Sequence, residues 1–217
     1  MTKTAAPSLV DFKLEDLAQF TREGAMPEHV NRTHWLFYVG RDDAHGVLDY
    51  ILSRVQISLY LNMFGYDDDE LNGLLMASAE NPLVTTLITL DKSQSGGVHE
   101  KLILASDAAK NPAAFNAHFA IGQSGTHQIS HTKGGVLDGR VGFEGSTNWS
   151  SGGEGTFVVG QKAAGGAGYK AQNNTLLVFI DTETCSRFTA ELVAEHMVAQ
   201  AQGGALKAEP PETVTGP

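Results

Sequence analysis

His131, Lys133 and Asp138 stand within eight residues of one another, and Gly145-Ser146-Thr147-Asn148 follows after six more. These residue types suit attack on a phosphodiester. A neutral imidazole can attack phosphorus and form a covalent phosphohistidine, dividing one hard displacement into two. Lysine is a compact charge that neutralises non-bridging phosphate oxygens. Phosphoryl transfer depends on positioning and on stabilising the equatorial oxygens, for which Lys133, Ser146 and Asn148 are candidate donors. A second acid or base must protonate the leaving oxygen and later activate water. Around this set, Gly145 and Thr147 supply a flexible polar turn. Trp149 offers a surface for stacking, or packs in the core, and His127 is placed to line the mouth.

These side chains need a scaffold. Residues two apart on a strand face the same side, so a strand over 128–137 projects His131 and Lys133 together, with His127 just ahead of it. Asp138-Gly139 is a tight-turn dipeptide, which predicts a hairpin with a strand over 140–143. Upstream, strands are expected over 35–39, 55–64 and 83–90. Helices between them begin at Asp42-Asp43 and at Asp67-Asp-Asp-Glu70, where acidic residues cap the first turn. A helix is expected over 98–109, short strands over 115–121, a strand over 175–180, and a helix over 183–201 with Phe188, Leu192, Val193 and Met197 on one side. Alternating strand and helix is the pattern of an α/β layer with parallel strands. The expected fold is α/β, with a mixed, largely parallel central sheet flanked by helices. Residues 1–30 read as a leader with a short helix over 14–22 capped by Asp11, 31–202 as one domain, and 203–217 as a disordered tail.

Composition limits the function classes. The chain has 217 residues, 41% of them hydrophobic and 18% charged, which suits one soluble globular domain. Most of the 24 glycines fall between positions 96 and 168, a loop-rich second half. The formal net charge of −10 comes without any basic run, so a polyanion site must be a local positive pocket in a negative field. Cys185 is the single cysteine, which excludes an intrachain disulfide and a thiolate metal cluster. No secretory signal and no apolar stretch of about 20 residues is present, so a cytoplasmic protein is expected.

Competing motifs are weaker. His99-Glu-Lys101 repeats the His-x-Lys spacing, but Asp107 is one residue too far and no Gly-Ser-x-Asn follows. On a helix His99 and Lys101 would not face each other. His34, His45, His118 and His127 show no metal-ligand spacing and read as surface or strand-end residues. The acidic run at 67–70 reads as a helix cap, not a calcium loop. The glycine-rich run 152–168 lacks the context of a phosphate loop.

His131-x-Lys133-x4-Asp138-x6-Gly145-Ser146-x-Asn148 resembles the signature of the phospholipase D superfamily. Asp138-Gly139 before a strand, Trp149-Ser150 after the Asn, and Asn174-Thr-Leu-Leu-Val178 before a last helix fit the same family, as does Ser58-Leu-Tyr-Leu-Asn-Met-Phe-Gly-Tyr-Asp67. The resemblance covers residues 34–200. It implies a phosphodiesterase that works without metal or cofactor through a phosphohistidine at His131. Two-motif members build one site from both motifs. A single motif therefore implies a homodimer with the site on its two-fold axis, one His131 as nucleophile and the other as general acid. It leaves three readings: an endonuclease on nucleic acid, a phospholipase D acting on phospholipid head groups, and an inactive homologue that grips phosphate backbones. The sequence departs from the family at Gly134-Gly135, which loosens the strand or marks a bulge. It also departs at Asn173, where an acidic residue often supports the histidine, with Glu154 as the alternative supporter.

Overall fold

The structure is a computed structural model that describes residues 7–26, 32–94, 98–125, 129–155 and 171–202. His127, the loop 156–170 and the tail 203–217 lie outside the described residues.

The reversal at Asp138-Gly139 organises the sheet. Both residues have positive φ, 52° and 64°, the conformation that Asp and Gly tolerate in a tight hairpin. It joins β5 (Lys133–Leu137) to β6 (Val141–Gly145) in antiparallel register. The remaining strands are β1 (His34–Tyr38), β2 (Ser58–Met63), β3 (Thr85–Asp91), β4 (Phe119–Gly122) and β7 (Thr175–Phe179). The helices are α1 (Ala44–Leu52), α2 (Asp69–Glu80), α3 (Val98–Lys110), α4 (Pro112–His118), the one-turn α5 (Ser151–Glu154) and α6 (Thr182–Ala201). The sheet runs β1-β7-β6-β5-β2-β3-β4.

The mixed α/β sheet is as expected, but its neighbours are mostly antiparallel. Among the described strands the β2–β3 and β3–β4 pairings are parallel, and the other four are antiparallel. The cause is interleaving. β1, β6, β2, β3 and β4 point one way, and the hairpin strand β5 and the return strand β7 are inserted between them.

Alternation along the strands separates two layers. Leu59, Leu61, Leu137, Val141, Phe143, Leu176 and Val178 join the main core with α1 and α2. Val136 and Phe179 face α6, where they meet Cys185 and Leu192. That α6 face is Cys185, Leu192, His196 and Ala199; Met197, expected inside, is 58% exposed. The apolar face is thin and partly polar: Leu192 and the partly buried Phe188 pack inward as expected, and His196 takes the inward place expected of Met197.

Other differences have local causes. Residues 112–118 form α4, not a strand, because Asn111 caps the helix through Ala114 N and Pro112 occupies its first turn. The described part of the amino-terminal segment, residues 7–26, packs on the domain: Leu9, Leu14 and Leu17 belong to the main core. Its helix is a 3-10 helix, Leu14–Phe20, entered where the Asp16 carboxylate accepts from Lys13 N at 2.9 Å. Gly134 and Gly135 form no bulge; both pair in register with β2. A Cβ at Gly134 would stand 2.6 Å from the Phe143 carbonyl oxygen and 2.9 Å from Phe188. Glycine is therefore required there by close packing.

Candidate active site

The C-terminal ends of β1, β2, β3, β4 and β6 share one edge of the sheet with the starts of β5 and β7. Sites in α/β sheets form at this edge, where loops diverge around a rigid frame. The His131/Lys133 pair and the 145–148 turn both lie there. The hairpin delivers them to the same edge, since Gly134 pairs with Glu144.

His131 does not sit on the strand. β5 begins at Lys133, so the two side chains are brought together by their shared neighbour Phe64 rather than by strand alternation. The exposed His131 ring lies 4.3 Å from the Phe64 ring, centre to centre. The Lys133 ammonium donates to the His131 carbonyl oxygen at 2.8 Å and stands 4.7 Å from the centre of the Phe64 ring. Lys133 is 4% exposed, and burial lowers its pKa, against the pull of Glu144 and Asp91. The His131 pKa is also lowered, first by burial and then by Lys133, with Asp91 opposing. Both effects favour the neutral imidazole, the form that can attack phosphorus.

The segment before His131 is fixed by buried polar groups. Asn62 Nδ2 donates to Ser130 Oγ at 2.9 Å, and Ser130 N donates to the Asp91 carboxylate at 2.6 Å. Asp91 also accepts the Ser93 amide at 2.8 Å and the Ser93 hydroxyl. Phe64, Asn62, Asp91 and Ser130 were not singled out from sequence. The signal available for Phe64 and Asp91 was their place at the C-terminal ends of apolar strands.

Asn148 reaches the same edge over Gly65. Trp149 N donates to Gly65 O at 2.9 Å and Asp67 N donates to Trp149 O at 2.8 Å, so the β6 loop rides on the extension of β2. A Cβ at Gly65 would lie 2.9 Å from Asn148 Cγ, so glycine beside Phe64 is what admits this loop. Asn148 Oδ1 is buried without a partner among the described residues. Ser146 is exposed, and its hydroxyl accepts from Thr175 N at 3.0 Å. Thr147 donates to Thr175 O at 3.0 Å. Both tie the turn to β7.

Several expected site residues have other roles. Trp149 is fully buried, stacked on Tyr66 at 5.9 Å and Phe143 at 6.4 Å, so it is core and no substrate platform. Gly145 backs on to β7, where a Cβ would meet Thr175 O at 2.1 Å. Asp138 lies at the opposite end of β5, roughly 16 Å along the strand from Lys133. Its carboxylate accepts the amides of Ile57 at 2.8 Å, Ser58 at 2.9 Å and Gln56 at 3.1 Å. It therefore clamps β5 to β2, at the far end of the strand from Lys133. Asn173 is exposed just ahead of β7. His127 and the His99 side chain are not among the described residues, and Asp107 is buried on α3.

Glu154 does hold a histidine, but it is His45. The fully buried Glu154 carboxylate meets His45 Nδ1, Asp68 stands 3.6 Å from the same nitrogen, and Glu70 is 3.0 Å from Nε2. Burial opposes charge on His45, yet Glu154, Asp68 and Glu70 carry its pKa to about 9. Burial raises Glu154 to about 7 despite His45. His45 is thus neither a free surface residue nor at a strand end. No spacing in the sequence joins positions 45, 68 and 154.

No family model matches the sequence, and no curated protein sequence matches it. Solved structures do. Nuc from Salmonella typhimurium, a phospholipase D family member, superimposes with a TM-score of 0.54 at 12% identity, over 75% of this chain and 93% of that one. NucT from Helicobacter pylori gives 0.54 at 15% identity, over 76% of this chain and 96% of that one. The phosphatidylserine synthase of Haemophilus influenzae Rd KW20 gives 0.53 at 11% identity, over 75% of this chain but 36% of that one. The seven-stranded sheet and its flanking helices therefore share the fold of these phospholipase D family structures.

Proposed function

We propose that this chain is a phosphodiesterase that works without a catalytic metal or cofactor, through a phosphohistidine at His131. One observation carries the reading: an exposed His131 imidazole, biased to the neutral form, is seated on Phe64 beside the buried Lys133 ammonium. In the first displacement His131 attacks phosphorus and the leaving oxygen takes a proton. In the second, water displaces the imidazole and returns it. Lys133 neutralises the phosphoryl oxygens, and Asn148, Ser146 and Thr147 border the same edge as polar partners. The resemblance to single-motif members supports the His131 of a second copy as the proton donor, in a homodimer with the site on the two-fold axis.

For the substrate we favour nucleic acid, by analogy with small single-motif members of the superfamily. Among the described residues no helix is long and apolar enough to cross a membrane. Phospholipid head groups are the second reading, supported by the likeness to phosphatidylserine synthase. Wild type and His131→Asn are assayed in EDTA on bis-p-nitrophenyl phosphate, DNA, RNA and phospholipid vesicles. Turnover of a diester by wild type alone, with an acid-labile phosphoenzyme, supports the mechanism, and the preferred substrate decides between the readings. Turnover retained in His131→Asn, or dependent on added metal, overturns it. Absence of turnover on every diester favours the phosphate-binding homologue. Sedimentation at about twice the 23.1 kDa chain mass checks the dimer.

A further inference from the structure

The group around His45 is built differently from the His131 site. His45 comes from the first turn of α1, Asp68 from the cap of α2 and Glu154 from the end of α5. One ligand atom from each lies within 4.8 Å of the others. His45 Nδ1 and Asp68 Oδ2 are 3.6 Å apart, close to the roughly 3.4 Å edge of a tetrahedron with zinc–ligand bonds near 2.1 Å, whereas Glu154 Oε2 is hydrogen-bonded to Nδ1 and parts from it to admit an ion.

Three features separate this group from an ordinary ion-pair cluster. Glu154 is 1% exposed, and its second oxygen, Oε1, is buried with no partner among the described residues. A buried carboxylate oxygen without a donor is costly unless a cation meets it. Asp68 is already oriented: its Oδ1 accepts from Glu70 N at 2.9 Å and Leu71 N at 2.8 Å, leaving Oδ2 toward His45. The far nitrogen of His45 is 3.0 Å from Glu70 Oε2. A carboxylate taking the outer N–H of a histidine is the outer-shell partner that metal-ligating histidines use.

We propose that His45 Nδ1, Asp68 Oδ2 and the Glu154 carboxylate bind one divalent transition-metal ion of the zinc class, with Glu70 orienting His45 from outside. Binding displaces the proton from Nδ1 and leaves a fourth position for water. The ion ties α1 and the start of α2 to α5, which directly follows the loop that carries Asn148. It is a structural staple, separate from the phosphodiester chemistry. The charged groups acting on His131 are Lys133 and Asp91, whereas those acting on His45 are Glu154, Asp68 and Glu70.

The test uses the full chain and Zn²⁺ or Co²⁺ alone. Calorimetric titration of metal-stripped protein is expected to show one tight Zn²⁺ equivalent per chain and a rise in melting temperature. Co²⁺ is expected to give visible bands of low-coordinate geometry. Glu154→Gln, nearly isosteric, should weaken binding at least about 100-fold, and Glu70→Gln roughly 10–100-fold. Asp68→Asn, which keeps a capping oxygen, serves if Glu154→Gln fails to fold by circular dichroism. His131→Asn should bind Zn²⁺ like wild type, and turnover at 25 °C should be the same in EDTA and in Zn²⁺. The proposal is overturned if wild type takes up no Zn²⁺, or if uptake is unchanged in Glu154→Gln and Asp68→Asn. That outcome would leave an ion-pair network at His45 and would not touch the His131 mechanism, which has its own variant.

Discussion

The Phe64 ring stands 4.3 Å from the His131 ring, centre to centre, and 4.7 Å from the Lys133 ammonium. One aromatic residue at the end of β2 thus sets the position of both groups. Its face attracts the ammonium, and its bulk limits where an exposed imidazole can rest. Phe64→Leu keeps an apolar side chain but removes the ring. Turnover should fall about 10–100-fold, the usual cost of a nucleophile misplaced by about 1 Å. Thermal melts beside diester kinetics check this: turnover like wild type would show that His131 needs no such seat.

The pH dependence follows from the direction of the His131 shift. Burial and Lys133 both disfavour the imidazolium, so the pKa lies below its ordinary 6.5. The nucleophile is lost as pH falls through that lowered value. The acidic limb of kcat/KM should therefore have its midpoint below 6.5. Lys133→Met removes one of the two causes, so the ring should titrate at higher pH than in wild type. NMR titration of the His131 ring carbons reads this even in an inactive variant. An unchanged or lower pKa in Lys133→Met would remove the lysine as the cause.

Asp138 carries the most recognisable letter of the motif, yet its carboxylate is taken up by backbone amides at the far end of β5 from Lys133. Its carboxylate holds the amides of Ile57 and Ser58 at 2.8 and 2.9 Å, while its own backbone sits at φ 52° in the hairpin turn. Asp138→Asn keeps a residue that tolerates this conformation and removes the charge that accepts the amides. Stability should drop by about 1–3 kcal/mol. Turnover per folded molecule should stay within about threefold of wild type. Denaturant titration and kinetics on the same samples separate the two. A loss of kcat without loss of stability would restore Asp138 to the reaction.

What the sequence disclosed and what it hid divide along contact distance. β2, α1, α2, β3 and β7 were readable because apolar period and caps such as Asp43 and Asp68 are local signals. His131 with Lys133 was readable for the same reason. The strand order was not, because the placement of β5 and β7 between same-direction strands depends on pairings far apart in the sequence, such as β2 with β5 and β1 with β7. Trp149 was open between rim and core until its partners, Tyr66 and Phe143, were known. Glu154 suggested a histidine supporter. Which histidine it meets is decided by α1, 109 residues upstream.

Glu100 extends the argument to a charge that neither site uses. It lies in the first turn of α3, 5% exposed, with Oε1 buried and unpartnered among the described residues. Burial, with Asp67 and Asp91 adding repulsion, raises its pKa to about 8, against an amide hydrogen bond from Tyr66 that pulls it down. In the unfolded chain it ionises near the ordinary 4.5. Between these values the folded chain binds more protons than the unfolded one, so this residue makes stability fall as pH rises from 4.5 toward 8. Glu100→Gln mimics the protonated acid and cannot ionise. Its melting temperature should match wild type near pH 4 and exceed it by several degrees near pH 8, at about 2–4 °C per kcal/mol for a chain of this size. Melts across that range, compared between the two proteins, cancel every other titrating group. A constant difference at all pH values would mean that Glu100 is ionised in the folded protein and that its buried oxygen has a partner.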